Sequence, residues 1–289
     1  MAETQNESVY GKKIFFINPN YTFRSMVIPE LRNKEYEVCI IENFRDAKNI
    51  LRKNPGSILF INVDAHLSLF GWFIFIDDLK DDPVLKTIIV GVLSDRITDK
   101  EKQFFMERLS IPAGMHRNEG HTAKLTETFL DILEMHKAKG RRQYVRANCL
   151  SDHSSVLIWN ENNKMHQVKL VDISVMGAAA VLPSANSNIV QEKMIVRGAT
   201  LKIGTKQFII DFIVYAIHQR DDKKLLITLF TPETVNGIKD SIQEYVYSQL
   251  HEHMLFSISG EKSDDKDYNQ LGKSYHEASN SERKGGAAK

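Results

Sequence analysis

Arg142 and Arg146 sit four positions apart in the run RRQYVR, and Asp172, Ser174 and Gly177 form D-x-S-x-x-G in DISVMG downstream. An arginine guanidinium is a planar fork of donors that meets phosphate oxygens, or the O6/N7 edge of guanine, in bidentate fashion. It also lies flat on a purine ring. A carboxylate accepts from the N1–H and N2–H of guanine, donors that adenine lacks, and a serine hydroxyl donates or accepts. A glycine lets the backbone turn and approach a flat base with no Cβ in the way. Together these residue types suit a small anionic ligand with two phosphates and two guanines. Taken singly they also fit plainer roles. Arg142 and Arg146 suit solvated cations at a helix end, and Asp172 and Ser174 suit a turn.

The positive charge is local. Five cations, Lys137, Lys139, Arg141, Arg142 and Arg146, crowd ten residues of a 289-residue chain whose formal net charge is +1. No global basic excess points to nucleic acid. Apolar residues at 42% and charged residues at 26% describe a soluble globular chain. The opening MAETQNESVYGKK lacks the cationic and apolar regions of a signal peptide, and the longest apolar run, Leu69 to Ile76, is too short to span a bilayer. A cytoplasmic protein without membrane insertion is therefore expected. Cys39 and Cys149 lie near no metal or redox motif and read as small apolar fillers. His116 with His121, and His251 with His253, have no carboxylate or cysteine to complete a metal set. With no phosphate loop, nucleophile elbow or general acid/base pair, the expectation is no catalytic residue, no metal, no cofactor and no enzyme.

The elements that must position these residues fall into three parts. Over residues 1–137, the short apolar runs KIFFIN, YEVCIIE, SILFINV and TIIVGVL alternate with helical patterns, and a weak fifth strand near PAGMHR precedes TAKLTETFLDILEMHKAK. Runs apolar throughout belong to strands covered on both faces, so the pattern predicts an α/β doubly wound parallel sheet. Thr98 followed by Glu101 predicts a capping box. Over 138–260 the texture becomes antiparallel all-β, with a polar Asn-rich turn inside SVLIWNENNKMHQVKLVDIS, and predicts a small barrel or sandwich. A helix closes it, with Thr231 as cap and Pro232 at its first position. Over 261–289 one leucine is the only large aliphatic residue, which predicts a disordered tail.

RRQYVR followed by DISVMG, heading a small β-barrel closed by a helix, resembles the PilZ domain, a family of bacterial receptors for the second messenger cyclic di-GMP. The resemblance covers roughly residues 138 to 255. It implies that Arg142 and Arg146 wrap over the dinucleotide, that Asp172, Ser174 and Gly177 hold a guanine, and that Arg141 adds a phosphate contact or stacks on a second ligand. The first part resembles the receiver domain of response regulators. That family needs an acidic pair after the first strand, where Asn18 and Pro19 stand here, and a phosphoacceptor aspartate ending the third, where Asn62 stands. Without those carboxylates a divalent cation loses its hard ligands and a phosphoryl group its acceptor. Asp64, two residues on, is the one rescue candidate. The family also has a Thr/Ser ending the fourth strand, which Ser94 suits, and a lysine after the fifth, where His116 or Arg117 is the nearest cation. This part reads as a degenerate receiver-like domain kept for interaction or dimerisation.

The function that follows is a non-enzymatic bacterial effector that binds cyclic di-GMP. It signals through an arm, Lys139 to Asn148, whose charges repel until ligand orders it. A protein partner engages the receiver-like domain or an interdomain face. The rivals are a phosphorylation-dependent response regulator acting through Asp64 and a PilZ-like adaptor that binds protein without nucleotide.

Overall fold

The computed structural model describes residues 11–117, 122–183, 190–220 and 223–286. The chain divides into two compact units, Met1–Gln143 with Met254–Lys289, and Tyr144–His253.

The first unit is a parallel sheet. Its strands are β1 (Ile14–Ile17), β2 (Val38–Ile41), β3 (Ile58–Asn62), β4 (Ile89–Leu93) and β5 (Met115–His116), in the order β2-β1-β3-β4-β5. Every pairing is parallel, which requires crossover connections and explains the alternation of strand and helix along the chain. The helices are α1 (Ile28–Asn33, entered through a π-helical turn at Phe23–Val27), α2 (Ala47–Arg52), α3 (Leu69–Asp77), α4 (Asp99–Arg108) and α5 (Thr122–Met135). Phe16 and Phe60 of the sheet meet Phe23 and Phe129 on one face, with α1 and α5 supplying the rest of that core. Because side chains alternate along a strand, Phe15, Ile17, Leu59 and Ile61 point to the other face, and they too are buried. This two-sided cover is what the unbroken apolar runs predict. The Thr98–Glu101 capping box is present at the start of α4.

Residues 261–286 of the segment expected to be a disordered tail depart from that expectation, while 287–289 lie outside the described residues. Residues 261–267 form an ordered, non-helical approach to a further helix, α7 (Tyr268–Gly286), which packs on α3. Counting aliphatic residues misses it because its burial comes from Tyr268 and from the close approach of Gly272 to Gly71.

The second unit is a closed antiparallel barrel. Strands β7 (Val156–Glu161), β8 (Lys164–Ser174), β9 (Gly177–Leu182), β10 (Ile195–Ile203), β11 (Lys206–Arg220) and β12 (Lys223–Phe230) run β8-β7-β10-β11-β12-β9, and the β8–β9 pairing shuts the ring. Closure leaves the six strands no free edge. Asn162 and Asn163 both take positive φ, 51° and 57°, in the two-residue turn between β7 and β8, the conformation a type I′ hairpin demands. Leu157, Val168, Leu170, Leu201, Phe212 and Leu226 fill the interior. Helix α6 (Pro232–Ser257) begins where predicted: the Thr234 N–H donates to the Thr231 hydroxyl, with Pro232 at the first helical position.

Candidate functional site

One short strand carries the arginine arm onto the barrel. β6 (Ala147–Asn148) pairs with β8, Ala147 opposite Ile173 and Asn148 opposite Asp172. Ala147 is buried in the barrel core, so its neighbours Arg146 and Asn148 turn outward. Tyr144 and Val145 pack against the same core and anchor the arm just before the strand.

The outward placement of Asp172 depends on a bulge. On β8 the inward residues are His166, Val168 and Leu170, and strict alternation would send Asp172 inward as well. Between β8 and β9, however, Leu170 faces Ala180 while Asp172 faces Ala179, so Val171 is an extra residue in the ladder. The bulge reverses the phase, and Ile173 becomes the inward residue. The Val171 carbonyl accepts from the Cys149 N–H at 2.8 Å, which ties the bulge to the end of the arm.

On the outer face the Arg146 guanidinium (Nη1) lies 3.3 Å from Asp172 Oδ1, with 41% and 30% of the two side chains exposed. Ser174 shares the outward phase of Asp172 but is covered, its hydroxyl donating to the Gly177 carbonyl at 3.3 Å. Gly177 meets a demand from inside the barrel. A Cβ there would lie 2.0 Å from the Thr228 carbonyl oxygen, so β9 and β12 can pair at this point only without a side chain. Arg141 and Arg142 are exposed and belong to the first unit, whereas Arg146 belongs to the second.

Behind the arm lies a polar cluster that the motifs do not announce. Asp152 Oδ2 accepts from the Ser155 hydroxyl at 2.6 Å and from the Tyr245 hydroxyl of α6 at 2.8 Å, while Oδ1 takes the Ser154 N–H and hydroxyl. Burial raises the Asp152 carboxyl, but these bonds outweigh it and hold the group well below the usual carboxylate range. Burial also raises the Tyr245 phenol and pushes the neighbouring Cys149 thiol up to about 12, which leaves that cysteine inert. The only sequence sign of this cluster is the D-x-S-S run at Asp152, a side-chain turn pattern that says nothing of Tyr245.

In the first unit, Asn62 at the end of β3 donates through Nδ2 to the Asn18 carbonyl at 2.9 Å. Asp64 Oδ1 accepts from the Ser94 hydroxyl at 2.5 Å and Oδ2 from the Asp95 N–H at 2.7 Å. Arg117 turns to the Ile97 carbonyl and Asp99. Burial holds His116 below its ordinary pKa. Among the described residues no three His, Cys, Asp or Glu side chains group to hold a metal ion, and no helix is long and apolar enough to cross a membrane.

No family model matches the chain, and no curated protein matches it. Among solved structures it is similar to the Bacillus subtilis inhibitor of motility MotI/DgrA, at 24% identity over 38% of this chain and 52% of that one, with a TM-score of 0.31. It is also similar to YcgR from Escherichia coli in complex with c-di-GMP, at 20% identity over 42% of this chain and 50% of that one, with a TM-score of 0.35. The chain thus spans about half the length of those two proteins. Its similarity to the PilZ domain of that same YcgR, solved with c-di-GMP, takes in 97% of the domain and 40% of this chain, at 21% identity and a TM-score of 0.35.

Proposed function

We propose that the chain is a non-enzymatic PilZ-type receptor for cyclic di-GMP. One observation carries the reading: the arginine that immediately precedes β6 and the aspartate of D-x-S-x-x-G on β8 lie side by side, partly exposed, where those two strands pair. An ion pair this exposed is worth at most about 1 kcal/mol. A ligand therefore replaces it at little cost, with guanine N–H groups going to Asp172 and phosphate or guanine acceptors going to Arg146. On this reading Arg142 wraps over the dinucleotide with Arg146, and Arg141 adds a phosphate contact or stacks on a second ligand. Signalling is the ordering of the arm, Lys139 to Asn148, in which the chain makes one of its two passages between the units, and a protein partner reads the change.

Calorimetric titration with cyclic di-GMP, cyclic di-AMP and GTP tests the reading. Cyclic di-GMP is expected to bind selectively. Arg146→Ala should weaken it by about 1–3 kcal/mol, roughly ten- to a hundredfold. Absence of binding by a folded chain would leave the arm as a protein-docking element and favour the adaptor reading. X-ray scattering with and without ligand tests the signalling step, which an identical profile in the two states would rule out.

A further inference from the structure

The first unit holds a segment that behaves as a ligand of its own fold. Lys48 on α2 is buried, and its ammonium lies 2.8 Å from Asp78, which follows α3, and 3.1 Å from Asp264 of the C-terminal segment. A buried cation needs compensation, and here half of it arrives from more than two hundred residues away in sequence. The Lys48 ammonium also donates to the Tyr268 hydroxyl at 2.6 Å, and that hydroxyl donates to Asp264 at 2.5 Å. Tyr268 is 1% exposed and sets its ring edge-on to Phe75, 5.4 Å between centroids. Two turns further along α7, Tyr275 stacks on Phe73 at 5.0 Å.

Between these two anchors the helices cross through glycine. A Cβ on Gly272 would stand 2.5 Å from the Gly71 nitrogen and 2.5 Å from the Phe70 carbonyl carbon. Glycine costs about 1 kcal/mol in a helix interior, and here it permits backbone contact. The anchors thus recur on one face of α7 at a spacing of seven residues, as when an amphipathic helix lies in a groove.

The rest of the contact is shallow. Asn49 donates to the Lys262 carbonyl and the Ser68 N–H to Asn269 in exposed bonds, and Arg45 to the Asp264 carbonyl and Ser263 to Asp46 in partly buried ones. Lys266 pairs with Asp78 with half its side chain in solvent, and Leu271 is 44% exposed. Bonds of this kind exchange with water at little net cost, in contrast to the fully covered strands beneath. We propose that residues 261–278 are a detachable strap. They occupy in cis a helix-docking groove on α3, and the bared groove takes the same segment when a second copy of the chain offers it. The inference stands apart from the nucleotide reading.

The test uses the full chain carrying Gly272→Leu, which wedges the strap off α3 without altering the groove. A fluorescent peptide of residues 261–278 stands in for the second copy in a polarisation titration. The expected result is binding at least tenfold tighter to Gly272→Leu than to the unaltered chain, and none by the peptide carrying Tyr268→Ala. If Gly272→Leu yields no folded chain, the full chain with Tyr268→Ala takes its place. Amide hydrogen exchange on the unaltered chain should show residues 261–278 opening before β1–β5. Failure of the folded variant to bind the peptide overturns the proposal. So does strap exchange that occurs only together with the sheet.

Discussion

The guanidinium of Arg146 and the carboxylate of Asp172 hold each other at 3.3 Å beside the β6–β8 pairing. Both remain open to solvent, with 41% and 30% of the two side chains exposed. Removing one should therefore separate stability from recognition. Asp172→Ala is expected to change unfolding free energy by less than about 1 kcal/mol in urea denaturation. In calorimetry the same variant should lower affinity for cyclic di-GMP about tenfold or more. Comparable losses in both measurements would make the pair structural.

Gly177→Ala should act through the barrel. Its Cβ would meet the Thr228 carbonyl at 2.0 Å, and the contact is backbone, which cannot swing aside. Overpacking of this kind costs about 1–3 kcal/mol, read as a lower urea midpoint with an unchanged slope. A midpoint equal to that of the unaltered chain would mean that β9 and β12 separate freely at this point.

Acid should loosen the barrel through Asp152. Its folded carboxyl titrates below the unfolded value of about 3.9, so its stabilising bonds are in force above that value. They are lost as pH falls through the folded pKa. The melting temperature of the chain is expected to drop below about pH 4, and Asp152→Asn should flatten part of that drop. Identical profiles for the two proteins would place the acid sensitivity elsewhere.

Asp64 should resist phosphorylation. Its oxygens are engaged by the Ser94 hydroxyl and the Asp95 N–H, and the residues at the first strand end are Asn18 and Pro19. Incubation with acetyl phosphate and magnesium is expected to leave the intact mass unchanged. A mass gain that Asp64→Asn abolishes would restore the response-regulator reading.

Much of this architecture is legible in residue order. Unbroken apolar strands announce a sheet covered on both faces, the Asn162–Asn163 turn announces the hairpin, and Thr231-Pro232 announces the closing helix. The arginine and aspartate motifs likewise name two side chains that meet. What escapes the sequence are effects of distant partners. The helix after Asp267 forms because Lys48, Phe73 and Phe75 await its tyrosines. Gly177 answers to Thr228, on a strand far along the chain. Tyr245 looks like one more apolar-face residue of α6, yet its hydroxyl reaches the turn at Asp152.

The bulge at Val171 gives β8 two parities. Toward the hairpin its even-numbered residues line the core, and beyond Val171 the odd-numbered ones do. One extra residue thus lets a single strand answer to two masters. The half toward the hairpin is free to vary under the rules of packing beside β7, and the half that pairs with β9 to shut the ring is free to vary around an outward Asp172. Neither set of substitutions has to respect the other's count.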